Sequence, residues 1–203
     1  MTSDSTKEFY EKYADDFEEK TKERQKENWI ESFTKLLPSN GKVLDLGCAY
    51  GRDSETFSQK GFEVVGVDFS EAFIAKAKQR VPQAKFIAGD IREVAFGKKE
   101  FDGVWASAIL LHISKEDTEK VLNNLHDSLQ AGGVIFLGMY LGEGEGLVKD
   151  NRYEGVEKYY SYFSEEALKG LLQKHGFSIV TSVTRPKDSY ERNDVIELIA
   201  KKD

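Results

Sequence analysis

The sequence predicts a doubly wound α/β domain, a mostly parallel sheet with helices on both faces. Two observations predict it. From about residue 41 onward, short apolar runs of strand length alternate with stretches of helical periodicity. The first run, in "VLDLGCAYGRDS" at 43–54, opens into a glycine turn, and the second ends on a carboxylate, Asp68. At 203 residues the chain is long enough for one domain with a proper core.

Residues 6 to 37 read as helical. Phe9, Tyr13 and Phe17 recur every four residues, and Trp29, Phe33, Leu36 and Leu37 form a second stripe that stops at "PSNG". "KVLDLG" is then a buried strand, and "RDSETFSQKG" a helix closed by Gly61. "FEVVGVD" is the second strand, and "SEAFIAKAKQRVP" a helix with Ser70 at its N-cap. "AKFIAGD" and "FDGVWAS" are strands three and four. "SKEDTEKVLNNLHDSLQAGG" is a helix that opens at Ser114 and ends at its glycines, and "GVIFLGMY" is the fifth strand. Residues 141–162, rich in Gly, Glu and Tyr, read as one long irregular segment. A helix at "SEEALKGLLQKHG" and two apolar strands, "FSIVTSVT" and "DVIELIA", close the chain.

Composition narrows the function. Charged residues make up 32% and the net charge is −7, so a polyanionic partner would be repelled over most of the surface. Nucleic acid is therefore not expected as a substrate. No apolar stretch approaches the ~20 residues of a membrane span, and the charged N-terminus lacks an apolar leader, so a cytoplasmic protein is expected. The single cysteine, Cys48, excludes an internal disulfide and a multi-cysteine metal site; no metal is expected.

In an open parallel sheet, ligands sit beyond the carboxyl ends of the strands where strand order reverses. A dinucleotide turn needs G-x-G-x-x-G, but the later positions counted from Gly47 hold Ala49 and Arg52. No Gly-Lys-Ser/Thr follows either, so the turn suits a ligand without a pyrophosphate. Asp68 falls about 20 residues after Gly47, where a carboxylate can accept from both ribose hydroxyls. Alone, it reads equally well as a helix cap; joined to the glycine turn, it reads as a ribose ligand.

"VLDLGCAYGRDS", "VVGVDFS", "FIAGDI" and "FDGVWASAILLHI" resemble, in order and spacing, the successive motifs of the class I S-adenosylmethionine-dependent methyltransferases. The resemblance covers nearly the whole chain. It implies a seven-stranded Rossmann-like methyltransferase sheet with an antiparallel C-terminal strand. It also implies methyl transfer from S-adenosyl-L-methionine, leaving S-adenosyl-L-homocysteine, to a small-molecule acceptor such as those of tellurite-resistance, natural-product or quinone enzymes. The family's loop pattern is Asp-x-Gly-x-Gly-x-Gly; Asp45, Gly47 and Gly51 match it, and Ala49 replaces the middle glycine.

The resemblance assigns roles. Gly47 and its neighbours approach the methionine part of the cofactor, with Asp45 beneath them. Asp68 holds the ribose, Phe69 packs on the adenine, Asp90 accepts from the adenine amino group, and the Ile91 backbone reads the ring edge. Ser107 lies near the sulfonium. An N-terminal helix carrying Tyr10 and Tyr13 acts as a lid, Tyr13 toward the cofactor and Tyr10 toward the acceptor. From its place after strand five, at the ligand edge of the sheet, the segment 141–162 offers Glu143, Arg152, Tyr153 and Tyr159 as the other acceptor-binding candidates; the alternative is that its tyrosines pack the loop and its charges are solvated. Arg52 reads as the partner of the cofactor carboxylate or of Asp53, or as solvated. His112, just past strand four, is the candidate base or acceptor-positioning residue, with a structural role as the alternative. His126 and His175 read as structural.

The domain divides into a lid at 1–38, a cofactor core at 41–140, an acceptor segment at 141–163 and a closing helix and strand pair at 164–203. The expected partner is a small molecule, with no nucleic acid and no membrane, for a monomer or homodimer. A non-catalytic binding module and a nicotinamide-dependent oxidoreductase are the rival readings. No Asn/Asp-Pro-Pro-Tyr/Phe follows strand four, which removes the amide-nitrogen methyltransferases of DNA and protein.

Overall fold

The computed structural model describes residues 4–24, 26–150, 153 and 155–203. Strands β1 (Lys42–Leu46), β2 (Glu63–Asp68), β3 (Lys85–Ala88), β4 (Phe101–Ser107) and β5 (Leu129–Tyr140) run parallel. β9 (Val195–Lys202) pairs antiparallel with both β5 and β8 (Phe177–Arg185), giving the order β3-β2-β1-β4-β5-β9-β8. Strand order reverses between β1 and β4, so a crevice is expected beyond Leu46 and Ser107.

The central strands are apolar on both faces because both faces are covered. Val43, Val64, Trp105 and Phe136 share one side with Ile30 and Phe33 of α3 (Glu27–Thr34) and Phe57 of α4 (Arg52–Gln59). Trp105 stacks on Phe136 at 3.8 Å between ring centroids, and Phe33 and Phe57 meet Trp105 edge-on. Leu44, Val65, Val104 and Ile135 face the other way, onto α6 (Lys115–Ser128) and α7 (Glu165–Lys174). Each such buried side chain contributes about 1.5–3 kcal/mol. Ser70 caps α5 (Glu71–Arg80) by accepting from the Phe73 amide at 3.2 Å, and Ser114 caps α6 by accepting from the Asp117 amide at 3.0 Å, as the sequence predicts.

Three expectations are corrected. The N-terminal stretch is not one helix. It breaks at Tyr13 (φ −110, ψ 23) into α1 (Asp4–Lys12) and α2 (Ala14–Thr21), and again before α3. The first break lets Phe9 pack on Tyr153 while Tyr10 reaches Phe69 and Phe73. Helix α6 stops at Ser128 and not at the glycines, because Leu129 pairs with Phe101 and starts β5. The segment 141–162 is largely a hairpin, β6 (Glu145–Asp150) paired antiparallel with β7 (Val156–Ser161). Its glycines, Gly142, Gly144, Gly146 and Gly155, read as loop, and "VEKYYS" at 156–161 lacks the apolar–polar alternation that marks a strand. Among the described residues, no helix is long and apolar enough to cross a membrane.

Candidate functional site

The turn after β1 is held by backbone geometry. The Gly47 and Cys48 amides donate to the Val67 carbonyl at 2.8 and 3.1 Å, which stitches the turn to β2. Gly47 has φ +74, and a Cβ there would lie 2.7 Å from the Ile109 side chain, so only glycine fits. Gly51 has φ +83 and packs against Ala77 of α5. Ala49, where the family pattern has glycine, also adopts a left-handed conformation, φ 46.

A polar network underlies the turn. Ser54 donates to Asp45 at 2.6 Å, and Trp105 Nε1 donates to Asp53 at 2.9 Å. Burial, with Asp53 nearby, pushes the Asp45 carboxyl up to about 7. Arg52 meets Asp53 at 2.7 Å, also donates to the Thr21 carbonyl at 2.9 Å, and lines the larger cavity. Its guanidinium thus ties the turn to the end of α2.

Asp68 ends β2 and is 4% exposed. Its Oδ2 accepts from the Ala49 amide and its Oδ1 from the Ser70 amide, both at 2.9 Å. The cap of α5 is Ser70 itself. Burial raises the Asp68 carboxyl to about 6 in spite of those two amides.

Two joined cavities lie at the crevice. The larger, about 740 Å³, runs from Asp45, Gly47 and Ser107 up to Arg24, Tyr190 and Glu191. The smaller, about 130 Å³, is lined by Asp68, Phe69, Tyr10, His112, Lys158 and Tyr160. Gly47, Ala49, Ser107 and Tyr140 line both. Over the larger cavity, Arg24 pairs with Asp188 at 2.7 Å and with Glu191 at 3.1 Å, so the segment after α2 is joined to the loop between β8 and β9.

His112 sits in a short 3₁₀ turn after β4, half-buried among aromatic rings. Its Nδ1 lies 2.9 Å from the Tyr159 carbonyl, which can only accept, so Nδ1 carries the proton. Nε2 then accepts from the Tyr10 hydroxyl at 3.0 Å. Burial, then the Lys158 charge, lowers the His112 pKa to about 3. The imidazole is neutral at ordinary pH and a weak proton acceptor.

The other predicted residues fall in different places. Phe69 reaches the smaller cavity beside Asp68. Asp90 and Ile91 line neither cavity; the Asp90 carboxylate is held by the Arg92 guanidinium, which also pulls its pKa down against the effect of burial. Tyr13 packs on Phe9 and Tyr153, and Tyr153 is buried there. Glu143 is exposed at the start of the hairpin. The Tyr159 side chain turns to Glu145, which together with burial pushes its hydroxyl up to about 12, and its carbonyl holds His112. Arg152 lies outside the described residues. Sequence reasoning missed Lys158, Tyr140 and Tyr190 as cavity residues. Nothing local carried a signal for Lys158 or for Tyr190.

Comparison with known proteins agrees with this geometry. Residues 43–133, a little under half the chain, match the model of a family described as a methyltransferase domain. An uncharacterized methyltransferase of Synechocystis sp. is 35% identical over 96 residues, covering 47% of this chain and 45% of the relative. Trans-aconitate 2-methyltransferase of Variovorax paradoxus is 33% identical over 133 residues, covering 64% of this chain and 47% of the relative. The chain thus spans about half the length of the curated relatives it matches. The Burkholderia thailandensis 1,6-didemethyltoxoflavin-N1-methyltransferase, solved with 1,6-didemethyltoxoflavin and S-adenosylhomocysteine, superposes with a TM-score of 0.79 at 22% identity. That superposition covers 98% of this chain and 87% of that one, and it speaks to the fold. The sheet order and the glycine turn agree with the methyltransferase domain matched over residues 43–133.

Proposed function

We propose that the chain binds S-adenosylmethionine in the crevice between β1 and β4 and transfers its methyl group to a small-molecule acceptor. The observation that carries this reading is the meeting of the Gly47 turn, Asp68 and Ser107 around one continuous hollow at the strand-order reversal. The residues fit the cofactor. The turn presents backbone where any side chain would collide with Ile109, and the larger cavity falls within the 300–1,000 Å³ typical of ligand sites. Each Asp68 oxygen accepts one amide and keeps a lone pair for a ribose hydroxyl.

S-adenosylmethionine, when bound, supplies an electrophilic methyl on its sulfonium. The protein supplies position and electrostatics. The Gly47 turn and Asp68 hold the nucleoside, and Phe69 gives it an aromatic face. Ser107 and Tyr140, at the ends of β4 and β5, line both cavities. Holding two reactants in attack geometry supplies on the order of 7–11 kcal/mol of the barrier. His112 acts as a positioning residue that fixes the Tyr10 hydroxyl. Relatives and neighbours whose names state small acceptors, trans-aconitate and 1,6-didemethyltoxoflavin, support an acceptor of that size.

A thermal-shift series tests the reading. S-adenosylmethionine and S-adenosylhomocysteine at a hundred times their dissociation constants should each stabilise the protein by about 2.7 kcal/mol, and NAD should not. A shift with NAD alone would remove the assignment.

A further inference from the structure

The smaller cavity holds a cation that cofactor binding does not account for. Lys158 of β7 is 2% exposed and lines that cavity. Its ammonium lies 2.9 Å from the Asp150 carboxylate, 4.1 Å from the Phe9 ring centroid and 5.4 Å from that of Tyr10. Side chains of the pair are only 3% and 2% exposed. Burying such a pair is costly, and well-packed apolar residues in its place are often neutral or stabilising. A lysine that merely filled this space would be a poor choice for packing. Facing the same cavity are the aromatic rings of Tyr10 and Tyr160 and the imidazole of His112. That imidazole is neutral, partly because the Lys158 charge opposes its protonation. A hydroxyl or ammonium acceptor would have to give up a proton, and His112 is a poor place to put it. An acceptor already negative needs no base and is drawn toward the ammonium.

We propose that Lys158 selects an acceptor that enters as a compact organic oxyanion, a carboxylate or phenolate carried on a small flat skeleton. The inference rests on the methyltransferase reading above and names the acceptor class of the same site. The oxyanion lone pair forms the new O–C bond while the C–S bond of the sulfonium breaks, leaving its electron pair on sulfur. No proton moves, the product is an ester or ether, and the positive charge of the donor is cancelled by the acceptor.

The test is a calorimetric titration of benzoate, benzyl alcohol and benzylamine into the protein, with and without saturating S-adenosylhomocysteine. Benzoate should bind at least tenfold more tightly than the other two. The pair Lys158→Met with Asp150→Asn removes both buried charges together, which keeps the fold testable where Lys158→Met alone leaves a buried carboxylate. It should lose the benzoate preference and keep S-adenosylhomocysteine affinity. Asp150→Asn alone removes the carboxylate that shares the ammonium, so benzoate should bind more tightly; a purely structural pair would not move in that direction. Equal binding of the three probes, no benzoate binding, or an unchanged preference in the double variant would overturn the proposal. So would a parallel loss of S-adenosylhomocysteine affinity, which would give Lys158 to the cofactor. Benzoate selectivity without any S-adenosylhomocysteine binding would sink the cofactor reading and leave the selectivity of Lys158 standing.

Discussion

Ala49 shows how tightly the turn is specified. It holds φ 46 in a loop whose amide is also pinned to Asp68. A non-glycine residue pays roughly 1–2 kcal/mol in that conformation. Glycine would remove the strain but would add about 0.4–1 kcal/mol of unfolded-chain entropy. Ala49→Gly should therefore raise stability by about 1 kcal/mol or less, read as a higher denaturation midpoint in urea. A lower midpoint would mean that the methyl makes a contact worth more than the strain. Gly47 and Asp68 were legible in the sequence because each sits at a strand end, where a turn or a carboxylate has few alternatives. The spacing between them is set by one strand-helix-strand unit. The fate of Asp90 was not read, although its captor, Arg92, stands two residues away in "GDIRE".

At the scale of elements, the lid and the hairpin differ most from the sheet. Helices α1 and α2 pack Phe9, Tyr10 and Phe17 on Tyr153 and Phe73 and are also fastened by polar contacts. Glu11 accepts from the Glu71 amide at 2.7 Å, and Glu18 pairs with Lys76 at 2.9 Å and with Arg80 at 2.7 Å. These groups are exposed enough that each ion pair contributes roughly 0–1 kcal/mol. The strands below them are buried on both faces. Amides of residues 5–21 should thus exchange with deuterium faster than those of β1 and β4, and should slow when S-adenosylhomocysteine binds. Exchange in α1 and α2 unaffected by that ligand would remove the lid role. The N-terminal helices were legible as a stripe of Phe9, Tyr13 and Phe17, but their break at Tyr13 was not, because a kink leaves no mark in periodicity. The hairpin was not legible because glycines dilute β6, and the tyrosines of β7 suggest a binding loop as readily as a strand.

For the molecule as a whole, the alternation of strands and helices predicts a doubly wound α/β fold before any contact is known, and the structure supplies the strand order. What alternation cannot supply is the meeting of distant segments. β9 enters antiparallel beside β5 and brings the loop at 186–194 back over the crevice, where Arg185 and Arg24 share Glu191 and Tyr190 lines both cavities. The smaller cavity is likewise lined from α1, the turn after β4 and β7, elements far apart in sequence. The matched domain model spans residues 43–133 and does not reach the hairpin or the last two strands. The central claim is that the crevice between β1 and β4 grips a sulfur-bearing nucleoside. A crystal structure of the protein with S-adenosylhomocysteine tests it most directly. The account predicts ribose hydroxyls on Asp68, the adenine beside Phe69 and the amino-acid end against the Gly47 turn; a ligand seated elsewhere, or a crevice left empty at saturating concentration, would contradict it.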